Sequence, residues 1–278
     1  MSNGLKTLAR NAVRGIANSE AAWSFVRATG LSRIRRLAFA RAMVVRKRVI
    51  ASLGHPCRVP SGPFEGLVVP DTEDRGGGWM ARVLGTYESE LITAVEEAIK
   101  ASPTHVIDIG CAEGYYAVGL ASRMPNARVD AYDIVESERA LCKRSAVANG
   151  VSDRVFVYDA CSEQTLLSPP PRTRCLVVSD CEGAERDLLT AEVIAHHANS
   201  WFIVECHDFV YPGISERLAA MFELTHVCRL INSLGDDEKA EHFKSLPVVD
   251  RECREVRAYI YGEGRPCRMT WLIASPRA

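Results

Sequence analysis

The sequence predicts an α/β protein with a mostly parallel, seven-stranded sheet and helices on both faces, preceded by a basic helical appendage. Apolar runs of strand length alternate with helix-like segments from residue 104 onward, and this alternation is typical of parallel sheets. A Gly-xxx-Gly turn follows the first of these strands. Residues 1–54 hold eleven Lys and Arg against one acid, Glu20, although the net charge of all 278 residues is −1. We therefore divide the chain into an appendage, 1–54, and a main domain, 55–278.

The appendage lacks proline from about Gly4 to Val49, which predicts helices, with a break near Gly30. Beyond the break, apolar residues recur at three- or four-residue steps, so one helix face can be buried: Ile34, Ala38, Ala42, Val45 and Val49. The basic residues have two interpretations. They dock on an anionic surface of lipid headgroups or acidic glycan, or they form a solvated face that packs on the acidic remainder of the chain.

The main domain contains seven predicted strands and five predicted helices. The strands cover residues 104–109, 128–133, 154–159, 175–180, 201–205, 225–231 and 269–274. The helices cover residues 84–101, 115–124, 136–149, 183–197 and 214–222.

Cysteine spacing and hydropathy exclude several classes of protein. The ten cysteines include no CxxC pair, so neither a zinc ribbon nor a thioredoxin motif is indicated. Scattered thiols in apolar segments favour a reducing, cytoplasmic compartment. No apolar run approaches 18 residues, which argues against a membrane-spanning protein.

The loop after the first strand has the sequence Asp108-Ile-Gly-Cys-Ala-Glu-Gly-Tyr115. Ligands of parallel α/β sheets bind beyond the carboxyl ends of the strands, and Gly110 and Gly114 permit a sharp turn and close approach of a ligand. Position 112 is alanine, so the Gly-x-Gly-x-x-Gly pattern of a dinucleotide site is absent. An acid two residues before Gly110 suits a cofactor with a cationic amino acid moiety. The loop resembles motif I of the class I S-adenosylmethionine (SAM) methyltransferases, which implies their Rossmann-like fold.

Acids also end the next two strands. Asp133 can accept hydrogen bonds from both ribose hydroxyls of such a cofactor, and Asp159 with Ala160 lies where its adenine amino group would be recognised. The alternative is that Asp133 caps a helix and Asp159 belongs to a turn. Asp108 would be costly to bury without a cation, and SAM supplies one.

The fourth strand ends in Asp180-Cys-Glu182-Gly-Ala-Glu185. This Asp-x-Glu-Gly-x-Glu pattern is similar to a signature of the FkbM-type methyltransferases, which are SAM-dependent O-methyltransferases. Further matching segments begin at Gly85, Ala148 and Val204. The resemblance covers about residues 58–230 and is weaker near residues 263–271.

The resemblance implies roles for individual residues. The implied cofactor-binding residues are Glu88, Asp108, Gly110, Cys111, Ala112, Glu113, Gly114, Tyr115, Asp133, Asp159 and Ala160. Asp180 and Glu182 would face the transferred methyl group, with Glu205 and His207 across the cleft. His207 is the expected general base, since imidazole titrates near neutrality, unless it is only a strand-end histidine. Alternatively, Asp180, Glu205 and His207 hold Mg²⁺ or another divalent cation. Glu185 is expected to complement a helix dipole only.

The sequence thus predicts an O-methyltransferase that acts on a hydroxyl of a sugar, glycan or natural product. A nucleic-acid methyltransferase that uses the basic arm is the alternative, but it is disfavoured because three acids at the reaction centre would repel phosphates. A non-catalytic SAM-binding scaffold protein is a third interpretation. The expected location is cytoplasmic, with peripheral membrane contact if the arm binds lipid, and no oligomeric state is predicted.

Overall fold

The computed structural model describes residues 3–70, 78–170, 173–243 and 246–277. The chain forms two compact units. Unit 1 comprises Met1–Ser61, Asp71–Tyr87 and Leu234–Gly264, and unit 2 comprises Gly62–Pro70, Glu88–Ser233 and Arg265–Ala278. The predicted boundary between residues 54 and 55 does not coincide with this division, because residues 234–264 cluster with the N-terminal helices.

Unit 2 contains a seven-stranded sheet. Its strands are β1 His105–Ile109, β2 Arg128–Tyr132, β3 Val155–Tyr158, β4 Cys175–Ser179, β5 Trp201–Cys206, β6 His226–Asn232 and β7 Thr270–Pro276. Their order is β3-β2-β1-β4-β5-β7-β6, with β7 antiparallel to both neighbours and the other pairs parallel. The first five strands have the order of a Rossmann sheet. The predicted Rossmann-like α/β fold with a mostly parallel seven-stranded sheet is confirmed.

The helices are bounded as follows. They are α1 Asn3–Asn18, α2 Glu20–Ala28, α3 Arg35–Ser52, α4 Trp79–Leu84, α5 Ile92–Lys100, α6 Tyr115–Arg123, α7 Glu136–Ala148, α8 Glu163–Leu166, α9 Glu185–Leu188, α10 Ala191–His196, α11 Ile214–Phe222, α12 Asp236–His242, α13 Pro247–Asp250 and α14 Arg254–Tyr261. Two 3-10 turns, Leu31–Arg33 and Ser89–Leu91, precede α3 and α5, and short strands occur at Cys57–Arg58 and Val68–Val69.

Two helix predictions were wrong in extent. The helix expected over 183–197 is divided, because Leu189 leaves the helical conformation and Thr190 starts α10 by accepting a hydrogen bond from the Val193 N–H at 3.3 Å. The helix expected from residue 84 begins only at Ile92, since Gly85 ends α4 with φ +73°. The break at Leu189 follows α9, whose first residue, Glu185, belongs to the site described below.

The strand register brings three strand ends to one level. Ile109 of β1 pairs with Ser179 of β4, and Ser179 pairs with Val204 of β5. The centres of β1 and β4 are buried apolar residues, and each such side chain contributes about 1.5–3 kcal/mol on burial. The buried sheet therefore fixes the positions at which the polar residues after β1, β4 and β5 emerge.

Unit 1 is organised around a buried cation. Arg41 of α3 is 1% exposed and its Nε donates to Glu252 Oε1 at 3.0 Å, while its Nη2 donates to Glu20 Oε2 at 2.8 Å. The indole N–H of Trp23 donates to the second oxygen of Glu252 at 2.8 Å. The predicted helical character and the break at Gly30 are confirmed. A second break falls at Ser19, which caps α2.

The described part of the chain has no helix with both the length and the apolar character that a bilayer crossing requires. All ten cysteines are free thiols.

Candidate active site at the strand ends

The loop after β1 is held by the backbone and side chain at the end of β2. The N–H groups of Gly110 and Cys111 both donate to the Tyr132 carbonyl, at 2.8 and 2.9 Å. Asp133 accepts the Ala112 N–H with one carboxylate oxygen at 2.9 Å and the Val135 N–H with the other at 2.8 Å. Asp133 thus shapes the loop, and each of its oxygens keeps a lone pair for a ligand hydroxyl.

The protein atoms around position 110 leave room only for glycine. Its φ is +84°, and a Cβ built at this position would lie 1.7 Å from the carbonyl oxygen of Asp180. A Cβ at Gly114, with φ +89°, would lie 2.8 Å from Cys142 Sγ. The sharp turn expected of these glycines is confirmed. The space that they leave is filled by protein atoms, so the proposed need for close approach of a ligand is not what the structure shows at these positions.

We expect Gly110→Ala to lower the free energy of unfolding by about 3 kcal/mol or more, from the strained positive φ and the overpacking against β4. Gly150→Ala is the matched control: its φ is +67°, but nothing lies within 4 Å of the added Cβ, so only the backbone strain of roughly 1 kcal/mol applies. Urea denaturation measures both. Equal losses of unfolding free energy in the two variants would show that the contact between the added Cβ and Asp180 does not destabilise the fold.

Asp108 is the most unusual acid of the loop region. It is 2% exposed, and its Oδ2 has no hydrogen-bond partner within the described residues. Burial, opposed by a backbone hydrogen bond from Ala117 and assisted by the charges of Asp180 and Asp133, raises the pKa of Asp108 to about 7. A buried carboxyl in this state fits a cationic ligand, because a positive charge would compensate the ionised form.

His207, directly after β5, is held by Glu185 at the start of α9. Glu185 Oε1 accepts both the backbone N–H of His207 at 2.9 Å and its Nδ1–H at 3.1 Å. The other oxygen accepts the Gly183 N–H at 2.9 Å. Glu185 is 0% exposed. The expectation that it only complements a helix dipole was wrong, because α9 turns this side chain inward to the end of β5.

These contacts determine which nitrogen of His207 is available. With Nδ1–H donating to Glu185, the lone pair of the neutral ring is on Nε2. Nε2 lies 3.6 Å from Asp180 Oδ1, 3.6 Å from Glu182 Oε2 and 3.8 Å from Glu205 Oε2. Burial alone would lower the pKa of His207, but the hydrogen bond to Glu185 and the charges of Glu185, Asp180 and Glu182 outweigh burial and raise it.

The structure brings together all the predicted catalytic acids. Glu182 is strongly exposed, at 83% of its side chain, and has φ +55°, whereas Asp180 is half-buried and Glu205 is buried. Burial, followed by the charge of Asp180 and a hydrogen bond with it, raises the pKa of Glu205 to about 10, although Arg265 opposes the shift.

Asp180, Glu205 and His207 also meet the geometric requirement of a metal site. Each offers one ligand atom, and the three atoms lie within 4.8 Å of one another. Two carboxylates and one imidazole form a donor set that suits a divalent cation. A bound cation would compensate the negative charge of the carboxylates.

Sequence reasoning missed Arg265 and Tyr116. Arg265 donates to Glu88 Oε1 at 2.6 Å and also pairs with Glu205. The Tyr116 hydroxyl donates to the other oxygen of Glu88 at 2.6 Å. Glu88 is 1% exposed with φ +46°, so its strained backbone is held by these two contacts. The weak resemblance near residues 263–271 was the only signal for Arg265.

The remaining predicted cofactor residues differ in exposure. Cys111 and Tyr115 are buried, and the Tyr115 ring packs edge-on against Phe64 at 5.0 Å, as a core residue does. Ala112 and Glu113 are half-buried. Asp159 and Ala160 are exposed directly after β3, where Tyr158 stacks on Tyr132 at 5.2 Å.

Parts of the chain are similar in sequence to two curated methyltransferases. A release factor glutamine methyltransferase of Chlorobaculum tepidum is 38% identical over 55 residues, which are 20% of this chain and 19% of that protein. A tRNA1(Val) (adenine(37)-N6)-methyltransferase of Pedobacter heparinus is 30% identical over 125 residues, 44% of this chain and 49% of that protein. The chain thus spans at most about half the length of these curated relatives.

Among solved structures, the O-methyltransferase TomG of Streptomyces achromogenes, in complex with SAM, is similar with a TM-score of 0.44 and 12% identity. The match covers 66% of this chain and 77% of TomG. No protein-family profile matches the chain, so the predicted membership of the FkbM family is not confirmed.

Proposed function

We propose that the protein is a SAM-dependent O-methyltransferase that acts on a hydroxyl group of a small molecule or glycan. The observation that carries this proposal is the His207–Glu185 pair, which directs a basic nitrogen into a group of acids at the strand ends beside the glycine loop. The same strand ends bear the buried carboxyl of Asp108.

The loop and Asp108 are the proposed cofactor-binding elements. SAM, when bound, supplies an electrophilic methyl group on a sulfonium centre. Asp108 would compensate positive charge on the cofactor, and Asp133 would accept hydrogen bonds from ribose hydroxyls with its remaining lone pairs. Asp159 and Ala160, exposed after β3, remain the proposed adenine contacts.

His207 is the proposed proton acceptor. As the acceptor oxygen is methylated, its proton passes to Nε2, and Nδ1–H continues to donate to Glu185. The resulting imidazolium is stabilised by the ionised Glu185, whose pKa is lowered because the hydrogen bonds and charge of His207 outweigh burial. Asp180 and Glu182 would orient the acceptor hydroxyl. A positioned base of this kind accelerates a reaction by about 10²–10⁴-fold.

A nucleic-acid acceptor is the second candidate, favoured by the similarity to a tRNA methyltransferase over 44% of the chain. The charges around Nε2 argue against it, since Asp180 and Glu182 each have a carboxylate oxygen 3.6 Å from that nitrogen. Such a group of acids repels phosphates but accepts hydrogen bonds from neutral hydroxyls.

The test is transfer of label from methyl-labelled SAM to panels of sugars, phenols, polyols and transcribed RNA. Labelling of a hydroxylated small molecule at an alkali-stable oxygen is the expected result. Labelling of RNA alone would replace the proposal with the second candidate. Each reaction is repeated with a chelator and then with excess Mg²⁺. Loss and recovery of turnover would assign Asp180, Glu205 and His207 as metal ligands, and unchanged turnover would assign His207 as the base.

Asp108 gives a pH-dependent prediction for the cofactor. Its raised pKa means that the folded state binds this proton more tightly than the unfolded state, so the free energy of unfolding falls as pH rises from about 4 to about 7. The positive charge of bound SAM would compensate the ionised carboxylate of Asp108 and so offset this loss of stability. As the pH rises from about 5.5 to about 7, we expect the dissociation constant of SAM to decrease by up to about tenfold per pH unit.

Calorimetric titration measures this dependence. Asp108→Asn should weaken binding and abolish its pH dependence, whereas Asp153→Asn, which removes an exposed acid, should change neither. A wild-type affinity for SAM that does not vary with pH would contradict the role of Asp108.

A further inference from the structure

The connection between α2 and α3 exposes large apolar side chains. Phe25 is 64% exposed, Leu31 is 42%, Ile34 is 49% and Phe39 is 50%. Leu8 of α1 is 68% exposed, and α1 contacts both α2 and α3. Phe39 also packs edge-on against the Tyr259 ring. The other Leu, Ile and Phe side chains, left in water in one short region, mark an interaction site.

Exposed cations are interleaved with these apolar residues. Arg33 is exposed in the same connection, Arg35 and Arg36 are exposed in the first turn of α3, and Lys6, Arg10 and Arg14 are exposed along α1. We define the basic–apolar surface as Phe25, Leu31, Ile34 and Phe39 together with Arg33, Arg35 and Arg36.

No acid compensates this surface within residues 3–52. The single acid there, Glu20, pairs with Arg41 and Arg48. Arg41 is in turn held by Glu252, so this cation serves packing, while the arginines of the basic–apolar surface lie in solvent. The packing interpretation of the basic segment thus applies to Arg41, and the docking interpretation can concern only the exposed arginines.

The buried network gives the surface a fixed framework. Arg41 Nη1 donates to the Ala17 carbonyl at the end of α1 at 3.0 Å, and Trp23 of α2 donates to Glu252. The three helices are thereby joined to residues 234–264 of unit 1. The exposed side chains do not belong to an unfolded tail that could bury them by folding back.

We propose that the basic–apolar surface docks on an anionic lipid bilayer. Phe25, Leu31 and Ile34 would insert among acyl chains near the headgroups, and Arg33, Arg35 and Arg36 would contact lipid phosphates. Aliphatic side chains such as Leu31 and Ile34 gain free energy from burial in lipid but cannot stack on bases, so a bilayer fits this surface better than nucleic acid does. The proposal is independent of the methyl-transfer reaction.

The experiment is cosedimentation of the full chain with vesicles of phosphatidylcholine alone or mixed with phosphatidylglycerol. We expect binding only to the anionic vesicles, with a salt-sensitive partition coefficient. Arg35→Gln/Arg36→Gln should lower that coefficient about thirtyfold. Phe25→Ser/Ile34→Ser should lower it about tenfold or more. Neither pair of substitutions is expected to prevent folding. Arg35 and Arg36 lie at the N-terminus of α3, where cations are unfavourable. Ile34 occupies the N-cap position of α3, where serine is preferred.

Matched controls distinguish vesicle binding through this surface from nonspecific binding by other exposed residues. Lys143→Gln/Arg144→Gln removes two exposed cations from α7, and Leu224→Ser removes a residue that is 81% exposed; both should bind vesicles as the wild type does. Equal binding to neutral vesicles, no binding to anionic ones, or equal losses in the controls would overturn the proposal. So would displacement by structured RNA with no effect of Phe25→Ser/Ile34→Ser, which would indicate a nucleic-acid partner.

Discussion

His207→Asn is expected to lower turnover by about a hundredfold or more near neutral pH, because it removes the Nε2 that accepts the hydroxyl proton. Wild-type turnover should rise with pH until His207 is neutral, and its raised pKa places that rise above the ordinary value of 6.5. The variant should lose this pH dependence. Single-turnover rates measured across pH, with SAM affinity measured in parallel, provide the comparison.

The matched control for this substitution is His242→Gln, which changes an exposed histidine of α12. It should leave turnover and its pH dependence unchanged. SAM affinity of His207→Asn should remain within a few-fold of wild type, since the ring contacts Glu185 and acids after β4 and β5. A His207→Asn enzyme with wild-type turnover would remove His207 from the reaction.

Glu185→Gln is expected to impair both stability and turnover. The carboxylate accepts hydrogen bonds from two backbone N–H groups and from His207 Nδ1 while completely buried. An amide cannot accept at both ends, so one donor is left unpaired at a cost of about 1–3 kcal/mol. Turnover should also fall about a hundredfold or more, because the neutral amide no longer stabilises the imidazolium.

Urea denaturation and single-turnover rates measure the two effects of Glu185→Gln separately. Asp187→Asn is the control in the same helix: this acid is 69% exposed and pairs only with its neighbour Arg186 among its described contacts. It should leave the midpoint of urea denaturation nearly unchanged, as exposed substitutions usually do. If Glu185→Gln and Asp187→Asn change stability and turnover to the same extent, Glu185 only complements the helix dipole.

The strands could be predicted because their signals are local. The fourth strand was expected at residues 175–180 and forms at Cys175–Ser179, since an uninterrupted apolar run bounded by polar residues can only be buried. The division of the helix expected at 183–197 was not predicted. It depends on Thr190, whose capping hydrogen bond competes with continuation of the helix.

The residues of the site could be predicted from the sequence, but the contacts between them could not. Parallel strands of known order place Asp108, Asp180 and His207 at one edge, and the sequence identifies each of them. Whether Glu185 points to solvent or to His207 depends on the direction in which α9 leaves β4, and no periodicity contains that information. Arg265 lies 60 residues from Glu205 and 177 residues from Glu88, so its pairing depends on the complete topology of the sheet.

The late position of Arg265 affects the order in which the protein can mature on the ribosome. Glu88 and Glu205 are synthesised long before the guanidinium of Arg265 that contacts them both, and residues 234–264, which belong to unit 1, are synthesised in between. Burial of the Glu88 carboxylate without a cation is unfavourable, so closing this edge of the sheet is disfavoured in a nascent chain that ends before Arg265. The centre that we propose for methyl transfer would therefore be completed only after Arg265 has been synthesised, when the segment that forms β7 also becomes available.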